Sequence, residues 1–301
     1  ETLGRNGEGT ISASADSYPD LFYDISRAPG DLAAIVYTSG TTGRSKGAML
    51  TQENIASNAI TLAAYWKFTR DDVLIHALPI YHVHGLFVAI NTLLVAGGSI
   101  LFLSEFSADE ILRLMPRATT LMGVPTFYVR LLAHPELNRE ATRGMRLFIS
   151  GSAPLQVETF YAFVERTEHS ILERYGMTET GMNTSNPYEG VRAAGTVGLP
   201  LPGVSLRVTN PENGMPLPNG EAGMIEVKGP NVFTGYWRMA EKTKAEFRED
   251  GFFITGDLGK IDDGGYVHIL GRAKDLIIIG DLNVYPKEVE CAIDSIEGVI
   301  E

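Results

Sequence analysis

The chain holds a single cysteine, Cys291, in 301 residues. One thiol excludes an intramolecular disulfide and most cysteine-based metal sites, and a reducing cytoplasm is the expected compartment. Basic residues are scarce as well: 25 Lys and Arg stand against 37 Asp and Glu, a net charge of −12. That balance argues against a nucleic-acid or anionic-membrane partner. No signal peptide is expected after Glu1, and internal repeats and low-complexity segments are lacking. Long apolar runs are nearly absent. The one candidate is "VHGLFVAINTLLVAGGSILFLS", Val83 to Ser104, long enough to span a bilayer. Gly97 and Gly98 break it, and Asn91 and Ser99 interrupt it. A buried helix, a turn and a buried strand are expected there instead of a membrane span.

What is present is an ordinary globular composition, 44% hydrophobic and 21% charged, in a chain long enough for about two domains. Up to about residue 202, apolar strand-like runs alternate with helical patterns. "LAAIVYT", "DVLIHALP", "SILFL", "TTLMGVP", "MRLFIS" and "SILERYG" read as strands, and Thr51 reads as the cap of a helix. Strands apolar throughout and separated by helices predict a parallel sheet covered on both faces, with ligands at the strands' carboxyl ends. From 203 to 272, period-two alternation and Asn-Gly turns predict a small antiparallel β subdomain. Residues 273–301 begin a further unit, too short to bury a core of its own. The expected class is therefore α/β: parallel sheets covered by helices, plus a small antiparallel β subdomain, ending before most of a small α+β domain.

One short stretch carries the chemistry. "YTSGTTGRSKG", Tyr37 to Gly47, packs three glycines, five Ser and Thr hydroxyls, an Arg and a Lys into eleven residues. Backbone N–H groups and hydroxyls donate to anionic oxygens, lysine adds a point charge, and glycine permits close approach. The loop is suited to a polyphosphate. It is not a Walker A loop, because Lys46 is followed by Gly47 and the glycine spacing differs.

This stretch resembles the phosphate-binding signature of the acyl-adenylate-forming superfamily: acyl-CoA synthetases, adenylation domains and luciferases. The superfamily's other motifs follow in order as "LPIYHVHG" (Leu78–Gly85), "SGSAPL" (Ser150–Leu155), "YGMTET" (Tyr175–Thr180), "TGD" (Thr255–Asp257) and "GRAKDLI" (Gly271–Ile277). The resemblance implies ATP, magnesium and CoA as co-reactants. It implies that Thr38, Ser39, Gly40, Thr41, Thr42, Gly43 and Lys46 cradle the leaving phosphates. Glu179 would be the magnesium ligand, and Thr178 would donate to the α-phosphate. Gly151, Ser152 and Ala153 would form the adenine-contacting turn. Glu173, Arg174, Tyr175, Gly176 and Met177 would extend the nucleotide site, with the Tyr175 ring on adenine. Asp257 would accept from the ribose hydroxyls, helped by Arg272. Plainer readings exist for three of these: Asp257 as a turn aspartate, Glu179 as a helix-start carboxylate, Tyr175 as core.

The acid is addressed by charge. The helix "TFYVRLLAH" reads as apolar nearly all round and therefore buried, with Arg130 interrupting it. A buried Arg needs an anionic partner, either an internal carboxylate or a second carboxylate on the substrate. His82 and His84 lie at the gate. The wording of these segments is most similar to malonyl-CoA synthetases, which implies malonate or methylmalonate as the acid. Arg130 with His82 would then hold the distal carboxylate, Val83 and Met182 would face the acyl C2 region, and Ser150 would line the pocket. Competing readings are a synthetase for another small or aryl acid, a carrier-loading adenylation domain, and a nucleotide-binding form without turnover.

Two departures from the superfamily pattern stand out. No lysine follows Lys287, so the lysine that the small domain brings to the reacting carboxylate is expected to lie outside this chain. In "IIIGDLNVYP", Asp281 follows Gly280 where a second glycine is usual, and a carboxylate there would crowd the approach of the CoA thiol. Lys274 matches the hinge position between the two domains; its plainer reading is an exposed lysine at a strand start.

Overall fold

The computed structural model describes residues 2, 8–19, 21, 23–38, 45–279, 282–294 and 296. A short helix, α1 (Thr10–Ala15), precedes a strand pair. Strands β1 (Leu32–Thr38) and β2 (Lys46–Thr51) run antiparallel, with Thr38 opposite Lys46. Helix α2 (Gln52–Tyr65) starts directly from β2. Thr51 Oγ1 accepts from Asn54 N at 3.2 Å and Asn54 Oδ1 accepts from Thr51 N at 2.9 Å, so two otherwise orphaned donors are satisfied. Thr51 is thus the cap that its position predicts, and its replacement by Ala would cost the helix about 1 kcal/mol.

The main sheet follows. Its strands are β3 (Val73–His76), β4 (Ser99–Phe102), β5 (Thr120–Gly123), β6 (Leu147–Ser150) and β7 (Ile171–Met177), then β8 (Gly181–Ser185) and β9 (Leu199–Pro200). Their spatial order is β4-β3-β5-β6-β7-β8-β9. The first five are parallel and the last two antiparallel. Crossovers between parallel strands are helical: α3 (Asn91–Ala96), α4 (Ala108–Leu114), α5 (Pro125–Leu132) and α6 (Val157–Thr167). The apolar runs read as buried strands are fully buried in β5 and β6, so the sheet is covered on both faces there. Trp66, Tyr128, Phe148 and Phe163 lie wholly inside this core. Burying one such side chain stabilises by roughly 1.5–3 kcal/mol.

The stretch from Val83 to Ser104 forms a π-helix over His84–Ile90, then α3, then β4. Gly97 ends α3 at φ 74°, a left-handed conformation that glycine takes without penalty. Among the described residues no helix is long and apolar enough to cross a membrane.

The antiparallel part contains β10 (Ser205–Thr209), β11 (Gly223–Lys228), β13 (Phe253–Ile261) and β14 (Val267–Arg272), in that spatial order. Between β11 and β13 the chain forms the two-residue strand β12 (Gly235–Tyr236) and α7 (Ala240–Ala245). Strand β12 leaves this sheet and pairs with β2, making a three-strand sheet β1-β2-β12. A second core, with Ala48, Leu50, Phe233, Tyr236 and Phe253, fills the space between these sheets. The described chain ends in the hairpin β15 (Ile277–Ile279) and β16 (Leu282–Val284) and in α8 (Pro286–Asp294).

Candidate active site

The cluster expected to meet phosphate begins where β1 stops. Thr38 is its last residue, and its buried Oγ1 has no hydrogen-bond partner among the described residues. Ser39, Gly40, Thr41, Thr42 and Gly43 lie outside the described residues. Lys46 opens β2, and its Nζ donates to Tyr236 Oη at 3.1 Å. It also lies 3.6 Å from Glu246 Oε1 and 4.4 Å from the centroid of the Tyr236 ring. Tyr236 Oη in turn faces Glu179 Oε1 at 2.9 Å and Glu246 Oε2 at 2.7 Å. Burial and the neighbouring Glu179 and Glu246 carboxylates push the Tyr236 phenol far up, so it stays protonated. Glu179 is 5% exposed and sits with Thr178 in the turn joining β7 to β8. No helix starts there, which removes the reading of Glu179 as a helix-start carboxylate.

The cluster expected to meet the nucleoside joins two sheets. Tyr175 on β7 donates from Oη to Asp257 Oδ2 on β13 at 2.5 Å. Arg272 Nε, at the end of β14, lies 2.8 Å from Asp257 Oδ1. Burial raises the Asp257 carboxyl above its usual range, although Arg272 and Tyr175 pull it down. Burial and Asp257 likewise raise the Tyr175 phenol. Gly176 is required by close approach: a Cβ would stand 2.0 Å from the Gly181 carbonyl oxygen.

The third cluster lies under the turn that follows β6, where Gly151, Ser152 and Ala153 sit. Arg174 is 2% exposed, and its Nε and Nη2 find no hydrogen-bond partner among the described residues. A Cβ on Gly151 would stand 2.3 Å from Arg174 Nη1, so only glycine leaves room for the guanidinium. Ser152 takes a positive φ of 74° and its Oγ lies 3.1 Å from His84 Nδ1. His84 Nε2 and Ser150 Oγ are buried and without partners among the described residues. Burial pushes the Arg174 guanidinium down to about 10, against the pull of Tyr128 and Glu173. Burial, then Arg174, His76 and His82, hold the His84 imidazole well below its usual range, so it is neutral. Glu173 Oε1 accepts from Leu155 N at 3.0 Å and fixes the far end of the turn. Val83 and Met182 are buried. Asn58 on α2 grips the Met182 backbone, accepting from its N at 3.0 Å and donating to its O at 2.9 Å.

One expectation is overturned. Arg130 is exposed, not buried, and its guanidinium lies 4.3 Å from the Phe106 ring centroid. The reason is helical geometry. Thr126 and Arg130 are four apart and share the outer face of α5, while Pro125, Phe127, Tyr128 and Leu131 turn inward. The helix is amphipathic rather than apolar all round. The gate residue His82 is also exposed, its ring 4.5 Å from that of Tyr81. Lys274 is exposed in a single 3-10 turn, Ala273–Asp275, between β14 and β15. Gly280 and Asp281 lie outside the described residues.

Four residues at these clusters escaped the sequence reading. Tyr236 sits in the segment "GPNVFTGYWRM" without any local sign of a role, and Glu246 has none either. Asn58 looks like any polar helix residue until its grip on Met182 is seen. Asn231 donates to the Thr180 and Met182 carbonyls at 2.8 and 3.3 Å and straps the segment after Glu179.

Several known proteins are similar to this chain. The AMP-binding enzyme family matches residues 6–237. A malonate–CoA ligase of Arabidopsis thaliana is 41% identical over 281 residues, covering 86% of this chain and 46% of that protein. ATP-bound MatB from Rhodopseudomonas palustris superposes with a TM-score of 0.97 at 66% identity, over 99% of this chain and 59% of that one. A malonyl-CoA ligase in a ternary product complex with methylmalonyl-CoA and AMP gives a TM-score of 0.78 at 44% identity, over 93% of this chain and 61% of that one. The chain thus spans about half to three fifths of the length of these relatives.

Proposed function

The chain belongs to the AMP-binding enzyme family, and from that premise we propose that it carries the adenylating site of an acid–CoA ligase for malonate or methylmalonate. In the first half-reaction a carboxylate oxygen attacks the α-phosphorus of ATP, and the bond to the bridging oxygen of pyrophosphate breaks. In the second, the CoA thiol displaces AMP and forms the thioester. Both reactants of the first step are anions, so the site must neutralise and align them. Lys46, Thr38 and the loop between them would take the leaving phosphates. Thr178 would donate to the α-phosphate. Tyr175, with Asp257 and Arg272, would hold the nucleoside.

Among the described residues no group of three or more His, Cys, Asp or Glu side chains can hold a metal alone. Glu179 by itself still suits magnesium, which keeps water and takes its remaining ligands from phosphate. Bound there, magnesium would neutralise the charge building on the leaving phosphates. A cytoplasmic setting belongs to the same proposal.

The observation that carries the diacid reading is Arg174. A guanidinium buried with two open donor atoms is costly unless an anion arrives. His84 Nε2 and Ser150 Oγ are further open polar atoms in the same region. A monocarboxylic acid would leave these groups unmet, whereas the distal carboxylate of malonate would satisfy them.

The test is acid-dependent ATP–pyrophosphate exchange by the complete gene product with malonate, methylmalonate, acetate and octanoate. Malonate or methylmalonate should support the fastest exchange. Arg174→Lys keeps the charge but loses the forked geometry. It should lower malonate-dependent exchange about 30- to 100-fold, the value of a charge-assisted hydrogen bond, with ATP affinity unchanged. Arg130→Ala should have the smaller effect. Faster exchange with acetate or octanoate than with malonate would remove the diacid assignment and leave the adenylating chemistry.

A further inference from the structure

Lys46 and Glu179 lie far apart in the chain and meet at one hydroxyl. Tyr236 Oη accepts from Lys46 Nζ and faces both the Glu179 and the Glu246 carboxylates. A phenol has a single proton, so it donates to one carboxylate at a time. Two carboxylates can share it only because cations stand close by. Lys46 Nζ is 3.6 Å from Glu246 Oε1, and Lys242 Nζ is 2.6 Å from the same oxygen. The charge that a triphosphate needs from Lys46 is therefore met by Glu246. A bare triphosphate approaching Lys46 would also confront two carboxylates, whereas a metal-loaded one brings its own cation. Tyr236 is fixed for this task. Its backbone N donates to Thr243 Oγ1 at 2.9 Å, and its strand β12 is paired to β2 beside Lys46.

We propose that Tyr236 and Glu246 are positioning residues for metal-bound triphosphate. Tyr236 holds Lys46 and Glu179 in register, and Glu246 keeps the place on Lys46 that the phosphate takes, so nucleotide enters with its metal. The inference rests on the reading of Lys46 and Glu179 as phosphate and metal partners. The charge state of Glu246 agrees with it: burial raises its carboxyl, but Lys242, Tyr236 and Lys46 outweigh burial and hold it below the usual range, as an anion.

The test is calorimetric titration of the complete gene product with ATP in chelator, ATP with magnesium, and AMP. The unaltered protein should bind magnesium–ATP more tightly than metal-free ATP. Glu246→Gln removes the competing charge while keeping the side chain's size. It should tighten metal-free ATP about tenfold and change magnesium–ATP by less than about threefold. Tyr236→Phe should weaken magnesium–ATP about tenfold, the loss of one charge-assisted hydrogen bond. Neither variant should alter AMP affinity, because AMP lacks the phosphates that reach Lys46. A general structural defect would weaken all three ligands together and would not produce the gain in metal-free ATP. If Tyr236→Phe does not fold, Glu246→Gln alone decides the question. An unaltered protein that binds neither form of ATP overturns both this inference and the reading beneath it. Normal magnesium–ATP binding, with unchanged metal preference in the variants, overturns this inference alone.

Discussion

Gly151 has no room for a methyl group. Its Cβ would meet Arg174 Nη1 at 2.3 Å and Cζ at 2.5 Å, and the guanidinium is buried, so it cannot swing into solvent. Gly151→Ala should therefore displace Arg174, cost about 1–3 kcal/mol of stability as overpacking does, and abolish malonate-dependent exchange. Urea midpoints with exchange rates would check it; wild-type values for both would separate Gly151 from the acid site. Asp281 makes a second residue-scale prediction, drawn from sequence alone. Asp281→Gly should speed transfer to CoA without changing exchange, and single-turnover thioester formation would measure it. The residue scale is also where sequence reading was weakest. Arg130 stands among apolar neighbours in the sequence, yet those neighbours occupy the inner face of α5 and Arg130 the outer one. Arg174 directly precedes the "YGMTET" motif, but its burial against Gly151 is a tertiary contact that no local pattern reveals. Glu246 is one carboxylate among 37 acidic residues until β12 brings Tyr236 against it.

Among the elements, the parallel strands β3 to β7 were legible, whereas "LAAIVYT", expected in the parallel sheet, is β1 of a separate antiparallel sheet, and its partner β2 gave no signal. Strands β5 and β6 are apolar on both faces because helices cover both, and that leaves a continuous run in the sequence. The "KGAMLT" of β2 is short and glycine-bearing, and its second partner, β12, comes from nearly 190 positions later. Nothing local announces that pairing. The π-helix over His84–Ile90 was equally hidden, since the apolar pattern of "HGLFVAI" serves a π-helix and an α-helix alike. Helix α2 acts on the site through Asn58. Asn58→Ala would remove the partner of the buried Met182 N–H and leave the Met182 carbonyl with the longer bond from Asn231, and each lost bond costs about 1–1.5 kcal/mol. A fall of about 2–3 kcal/mol in unfolding free energy is expected. A change below about 0.5 kcal/mol would show that the clasp is dispensable.

For the whole molecule, pH dependence follows from groups whose ionisation differs between folded and unfolded chain. Burial lowers His76, His84 and His169 from 6.5, so each is held neutral in the fold. The unfolded chain takes up their protons below about pH 6.5, so stability is complete above that value and declines as pH falls through it. Asp72 adds a second decline at lower pH. Burial raises its carboxyl, but Arg146, Thr69 and Thr119 outweigh burial and depress it. That contribution is present above about pH 4 and is lost as pH falls further. Urea midpoints should be lower near pH 5.5 than near pH 7.5. A higher midpoint at the acid value would contradict the neutral histidines. Overall α/β class and motif order were visible in the sequence. The link between the 1–202 and 203–272 segments through β12 was not.

The pairing of Thr38 with Lys46 has one more consequence. Both ends of the glycine-rich stretch are anchored by strand hydrogen bonds, so the entropy of bringing those ends together is lost when the chain folds, not when nucleotide binds. Closure entropy grows only slowly with length; doubling the stretch would cost about 0.6 kcal/mol. Folding therefore tolerates wide variation in the length of chain between these two anchors.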